Sequence, residues 1–112
     1  MVNILNKGVL PLDIYIEASP IQIAEEKEYF LSAIFKLLPY KEDCYEFLDN
    51  YFESVIQQLI GFNKISGFQP VTLSIINLLE YAREENNFKK YRKAILDACG
   101  MVKLIKERDF DA

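Results

Sequence analysis

Two pairs of carboxylates at helical spacing are the residues of this chain best suited to chemistry. Glu25 and Glu28 form E-x-x-E, and Glu46 and Asp49 form E-x-x-D. Side chains three positions apart share one face of a helix, so each pair can aim its oxygens at a common point. Hard oxygens so placed are what Mg²⁺ takes as ligands. The 112 residues include no histidine. That excludes a Ser-His-Asp or Cys-His nucleophile and a histidine-ligated zinc site, but it leaves Mg²⁺ open, since that ion needs no imidazole. Cys44 and Cys99 make no CxxC motif and read as two reduced, buried small hydrophobes. Cys99 has Asp97 near it but no base, and the four scattered glycines build no phosphate loop.

The same acids can be read as a surface. Glu42, Glu46, Asp49 and Glu53 recur at helical spacing, either as a solvated face or as one that steers a basic partner. Charge is unevenly placed: residues 1–63 carry four Lys and ten Asp/Glu, net −6, and residues 64–112 carry nine Lys/Arg and seven Asp/Glu, net +2. An acidic half repels phosphate, which argues against nucleic acid there. The basic run Lys89-Lys90-Tyr91-Arg92-Lys93, with Lys103, Lys106 and Arg108 beyond it, could in principle grip phosphate. At the start of a helix, however, those cations oppose the macrodipole. The expectation is therefore that they meet carboxylates, within the fold at Glu84, Glu85 or the acidic face, or on another subunit, and that no nucleic acid is bound.

Four helices must position these residues, roughly 20–38, 43–60, 70–85 and 87–107, in a single mainly α domain spanning 1–112. Ser19-Pro20-Ile21-Gln22 is a capping box with proline at the first helical position. The helix it opens carries Ile21, Ala24, Leu31, Phe35 and Leu38 as its stripe, and Pro39 should stop it. Asp43, with Glu46 three residues on, should open the second helix. Its apolar positions cover more than half the circumference, which makes it central, and Gly61 should end it. Gly61–Gln69 is then the longest loop, carrying Phe62 and Phe68, which must tuck under it or stay exposed. Pro70 starts the third helix. Between third and fourth only Asn86-Asn87 hints at a turn, so one bent helix is the alternative. Gly100 inside the fourth costs about 1 kcal/mol relative to alanine, which suggests a close helix approach.

The first 18 residues differ. Leu12-Asp13-Ile14-Tyr15-Ile16-Glu17 alternates apolar and polar, the pattern of a half-buried strand. As a short extended β arm it would pair with Val2–Leu5, lie across the helices, or add to a second copy in a homodimer. No signal-peptide pattern and no run of about 20 apolar residues is present, so a cytoplasmic protein without membrane contact is expected.

Glu25-Glu26-Lys27-Glu28 followed by Glu46-Phe47-Leu48-Asp49 on a neighbouring antiparallel helix resembles the acid set of the all-α nucleotide pyrophosphohydrolases. The stretch from Asp49-Asn50-Tyr51-Phe52 to Gly61-Phe62-Asn63 is similar to that family's third helix and its ending. The resemblance covers about a third of the chain. It implies Mg²⁺ and a nucleoside triphosphate held by Glu25, Glu28, Glu46 and Asp49. Lys27 and Tyr29 stand where the family has glycine and leucine. Set beside it, an acidic, aromatic-rich chain with little else for catalysis suits a non-enzymatic protein-binding domain. This would be an inhibitor, immunity or antitoxin protein, or a small adaptor, needing no cofactor. Glu42, Glu46, Asp49, Glu53, Phe62 and Phe68 would meet the partner. That is the reading adopted from sequence, with the Mg²⁺-dependent enzyme as its alternative.

Overall fold

The computed structural model describes residues 19–107, so the expected extended arm over 1–18, and any exchange of it between copies, lies outside them. The described residues fold as α1 (Pro20–Phe35), α2 (Leu37–Glu42), α3 (Leu48–Ile65), α4 (Pro70–Glu84) and α5 (Phe88–Val102), with no strand among them. The described residues are mainly helical, four long helices plus the short α2. None of these helices is long and apolar enough to cross a membrane.

The capping box forms as its residues dictate. The Ser19 hydroxyl accepts from the Gln22 backbone N–H at 3.2 Å, and Ser19 N–H donates to Gln22 Oε1 at 2.8 Å. Ile23, Phe30 and Ile34 then bury fully against the bundle and hold α1 to it, each contributing about 1.5–3 kcal/mol. Pro39 does not stop the helix where expected. Its missing N–H and its ring break the ladder a turn earlier, at Lys36, and proline then sits in the first turn of α2, where the absent donor costs nothing. Two tyrosines fasten the two sides of this break: Tyr51 donates its hydroxyl to Ala33 O at 2.8 Å, and Tyr91 donates to Leu37 O at 2.7 Å.

The second expected helix shifts downstream at both ends. Asp43 is the C-cap of α2 rather than the N-cap of α3, which begins at Leu48. At the other end α3 runs through Gly61 to Ile65, because Leu59, Phe62 and Asn63 still fall on its buried stripe and their burial outweighs one helical glycine. The loop shrinks to 66–69, with Gly67 at φ +98 and Phe68 at φ +55 turning the chain, and Phe68 N–H bonded back to Asn63 O at 2.7 Å. Pro70 opens α4 as expected. Asn87 caps α5 by accepting from Lys90 N–H at 3.0 Å, so α4 and α5 are separate helices.

The core sits between α3, α4 and α5, with α1 laid antiparallel on α5. Ile75, Leu79 and Ala82 of α4 meet Tyr91, Ile95, Ala98 and Val102 of α5, all fully buried. At the start of α4, the Gln69 side-chain amide bonds both ways to the backbone of Lys106, donating at 2.9 Å and accepting at 2.8 Å. Beside it the Lys27 ammonium donates to Ile105 O at 2.7 Å, which ties α1 to the end of α5. Gly100 is not explained by packing among the described residues, since a Cβ there would meet none of them within 4 Å. The expected close approach of helices at that residue is absent among the described helices.

Candidate functional site

The connection between α2 and α3 gathers exposed aromatics and carboxylates in one place. α2 closes with Tyr45 N–H bonded to Tyr40 O at 2.9 Å and Cys44 N–H bonded to Lys41 O at 3.2 Å. This is a Schellman closure, whose left-handed residue is ordinarily glycine and here is Cys44 at φ +54. The apolar contact that accompanies such closures is aromatic: the Tyr40 and Tyr45 rings lie 4.6 Å apart, and Tyr40 also meets Tyr51 edge-on at 5.1 Å. Tyr45 and Phe47, 6.0 Å apart, project from this elbow and remain 41% and 53% exposed. Glu42, Asp43 and Glu46 are exposed around them, and no lysine or arginine among the described residues comes within 4.0 Å of their carboxylates.

The remaining acids of the expected face are engaged. Arg83, reaching from α4, binds Asp49 with two bonds of 2.7 and 3.0 Å and Glu53 with one of 2.8 Å. Those hydrogen bonds hold both carboxyls below their usual range and push the guanidinium further up. Tyr51, behind the elbow, is pushed up to about 12, first by burial and then by the neighbouring tyrosines. Of the two aromatics expected in the loop, Phe62 is buried against Phe30, with ring centroids 5.4 Å apart, while Phe68 is 60% exposed. Phe62 therefore belongs to the core and not to the surface: the α3 extension carries it inward.

The acid set of the enzyme alternative is not assembled. Glu25 and Glu28 lie exposed on α1, Glu28 beside Cys99 and Lys103 of α5, whereas Asp49 is held by Arg83 of α4. Among the described residues, no three acidic or cysteine side chains are close enough together to share an ion. The expected internal match for the basic run is partial: Lys90 lies close enough to Glu85 to help hold that carboxyl low, after the Asn87 N–H and the Tyr81 hydroxyl, but forms no close ion pair with it. Only Lys93 reaches a carboxylate, that of Asp97 on its own helix at 2.8 Å, and Lys89, Lys90 and Arg92 have none within 4.0 Å among the described residues.

Two open grooves flank α1. Between α1 and α5 a groove of about 610 Å³ is lined by Leu31, Phe35, Leu96, Cys99 and Gly100, with Glu28 and Lys103 towards one end. Burial pushes the Cys99 thiol up, so it stands there as an apolar group. Between α1 and α3 a groove of about 430 Å³ has Phe30, Gly61, Phe62 and Ile65 in its wall, bridged by Tyr29 donating to Gln58 Oε1 at 2.7 Å. Phe35, expected in the core stripe, is 54% exposed. Its phase was the available signal, since Leu31 and Phe35 lie to one side of the buried line Ile23–Phe30–Ile34. No protein-family model matches this chain, and no curated protein or solved structure does either.

Proposed function

We propose that this chain is a non-enzymatic protein-binding domain of inhibitor, immunity, antitoxin or small-adaptor type, and that it takes a basic segment of its partner at the α2–α3 elbow. One observation carries the reading. Tyr45 packs on Tyr40 and Phe47 on Tyr45, yet they stay 41% and 53% exposed, amid three carboxylates with no lysine or arginine within 4.0 Å among the described residues. Exposed aromatic faces attract lysine and arginine through cation–π contact, and carboxylates attract them by charge-assisted hydrogen bonds. The partner-facing set thus becomes Glu42, Asp43, Tyr45, Glu46 and Phe47, with Asp49 and Glu53, largely neutralised by Arg83, adding only one net negative charge behind them. Phe68, exposed on its own loop, is a separate contact. The setting suits a cytoplasmic protein, where an exposed thiol such as Cys44 stays reduced.

The test is enrichment of binding proteins from the source cell extract on immobilised wild type, the Glu42→Lys/Glu46→Lys variant and Phe47→Ala. A basic protein retained by the wild type should be lost or released early in salt from both variants, whose melting temperatures stay within about 2 °C of wild type, as for surface changes. Equal retention by all three would remove the elbow from the interface.

A further inference from the structure

Three polar side chains are shut into the base of the α3–α4 connection. Asn63 and Ser66 are 8% exposed, and Thr72 is fully buried. Asn63 and Ser66 continue the inward line of α3 past Leu59 and Phe62, and Thr72 begins the inward line of α4 that runs on through Ile75, Leu79 and Ala82. Their levels agree. Arg83 of α4 meets Asp49 and Glu53 of α3, and from that clamp the two helices run antiparallel to the loop 66–69. Thr72, about three turns back from Arg83, therefore arrives at the level of Asn63, about three turns on from Asp49 and Glu53. The backbone of the loop holds the set together. Phe68 N–H donates to Asn63 O at 2.7 Å, the Gln69 side-chain amide to Ser66 O at 3.0 Å, and Thr72 N–H to Gln69 O at 3.0 Å. Yet Asn63 Oδ1, Ser66 Oγ and Thr72 Oγ1 themselves bond neither one another nor any other group among the described residues.

A buried polar atom without a partner has lost its hydration and gained nothing in return, so native interiors seldom keep one. Three in one corner of an otherwise apolar core mark a binding site for something small. Each hydroxyl can donate once, and the amide oxygen can only accept, so the occupant must both accept and donate. A metal ion could take the three oxygens but would leave both hydroxyl protons without an acceptor. We infer that Asn63, Ser66 and Thr72 hold one resident water molecule, which accepts from the Ser66 and Thr72 hydroxyls and donates to Asn63 Oδ1. That water joins the end of α3 to the first turn of α4. It thereby anchors from below the loop that presents Phe68, 60% exposed at φ +55.

A high-resolution crystal structure of the full chain tests this directly. One ordered water should lie within hydrogen-bond distance of all three oxygens; an empty site, or side chains bonded to one another instead, overturns the inference. Stability gives a second test that needs no crystal. Thr72→Val keeps the shape of the side chain and removes its hydroxyl. With the water in place that change takes away one of the water's donors, and the melting temperature should fall by about 4–8 °C. If the hydroxyl were an unbonded buried group, the same change would raise it. Ser66→Ala should lower the melting temperature likewise. Because both hydroxyls meet in one water, the double variant should lose less than the sum of the two. A rise for Thr72→Val, or strict additivity of the pair, overturns the inference. Exchanging sodium for potassium or lithium at fixed ionic strength should leave the wild-type melting temperature unchanged. A shift that Thr72→Val abolishes would make the occupant a cation, which overturns it as well.

Discussion

Cys44 holds φ +54 with a side chain that is exposed, so glycine at this position should raise stability rather than lower it. A non-glycine residue in the left-handed region carries roughly 1–2 kcal/mol of strain from its Cβ against the following carbonyl. Glycine removes that strain but returns about 0.5–1 kcal/mol through the greater freedom of the unfolded chain. The thiol contributes no burial to lose, so Cys44→Gly should gain about 0.5–1 kcal/mol net. That corresponds to a rise of about 2–6 °C in melting temperature for a domain of this size. Urea unfolding followed by circular dichroism measures it, and the slope with denaturant should not change, because the surface exposed on unfolding is the same. Cys44→Ser is the matched control, since it keeps a Cβ and hence the strain. If Cys44→Gly is no more stable than Cys44→Ser, Cys44 is not in the left-handed conformation. The elbow that presents Tyr45 and Phe47 would then be wrongly placed.

Two further perturbations probe the fastenings of the bundle by pH. Tyr51 is pushed up to about 12 and Tyr91 is raised by its burial, so both favour the folded state as neutral phenols. The stability they give is complete below the ordinary phenol value near pH ~10 and lost as pH rises through the folded values. Tyr91→Phe, which leaves Leu37 O without its 2.7 Å donor, should cost about 1–2 kcal/mol at neutral pH and shallow the alkaline loss. An unchanged alkaline profile would show that Tyr91 ionises as freely in the folded state as in the unfolded one. Asp49 and Glu53 behave oppositely: their lowered values mean stability present above the usual carboxylate range and lost as pH falls below it. Arg83→Gln should flatten that acid limb, and an acid limb identical to wild type would mean that the guanidinium clamp does not persist in solution.

Much of this architecture can be read from residues whose demands are local. Ser19-Pro20-Gln22 fixes where α1 starts, Pro70 where α4 starts and Asn87 where α5 starts, because each satisfies or spares a backbone donor on the spot. The stripe Tyr91–Ile95–Ala98–Val102 likewise identifies the buried side of α5 from its period alone. What misled were residues with two possible uses. Pro39 can end a helix or sit in the first turn of the next one, and tertiary bonds from Tyr51 and Tyr91 favour the second. Asp43 with Glu46 has the spacing of a capping box, yet the Tyr40–Tyr45 contact makes Asp43 the end of α2. Gly61 could have ended α3, but burial of Phe62 and Asn63 carries the helix past it. The site followed the same division. The acidic face was visible as a period, while its partition into free carboxylates at the elbow and neutralised ones at Arg83 depends on α4 and is not a property of any local segment.

The two ends of α4 are fastened by different chemistry, and that difference makes the bundle asymmetric in its response to its surroundings. At the start of α4, Gln69 bonds the Lys106 backbone with neutral donors and acceptors alone, so neither pH nor ionic strength acts on it. At the end of α4, Arg83 grips Asp49 and Glu53 by charge, and Lys41 reaches across to Glu85 O at 3.4 Å. Of these two fastenings of α4, salt and acid weaken the second. The elbow adjoins it, immediately before Asp49 in the chain. Changes in ionic conditions should therefore loosen the end of α4 beside the aromatic elbow more than the end held by Gln69, where the Lys27–Glu107 pair is the charged contact. The stiffness of the recognition surface becomes a variable that the medium can set, independently of whether the protein as a whole remains folded.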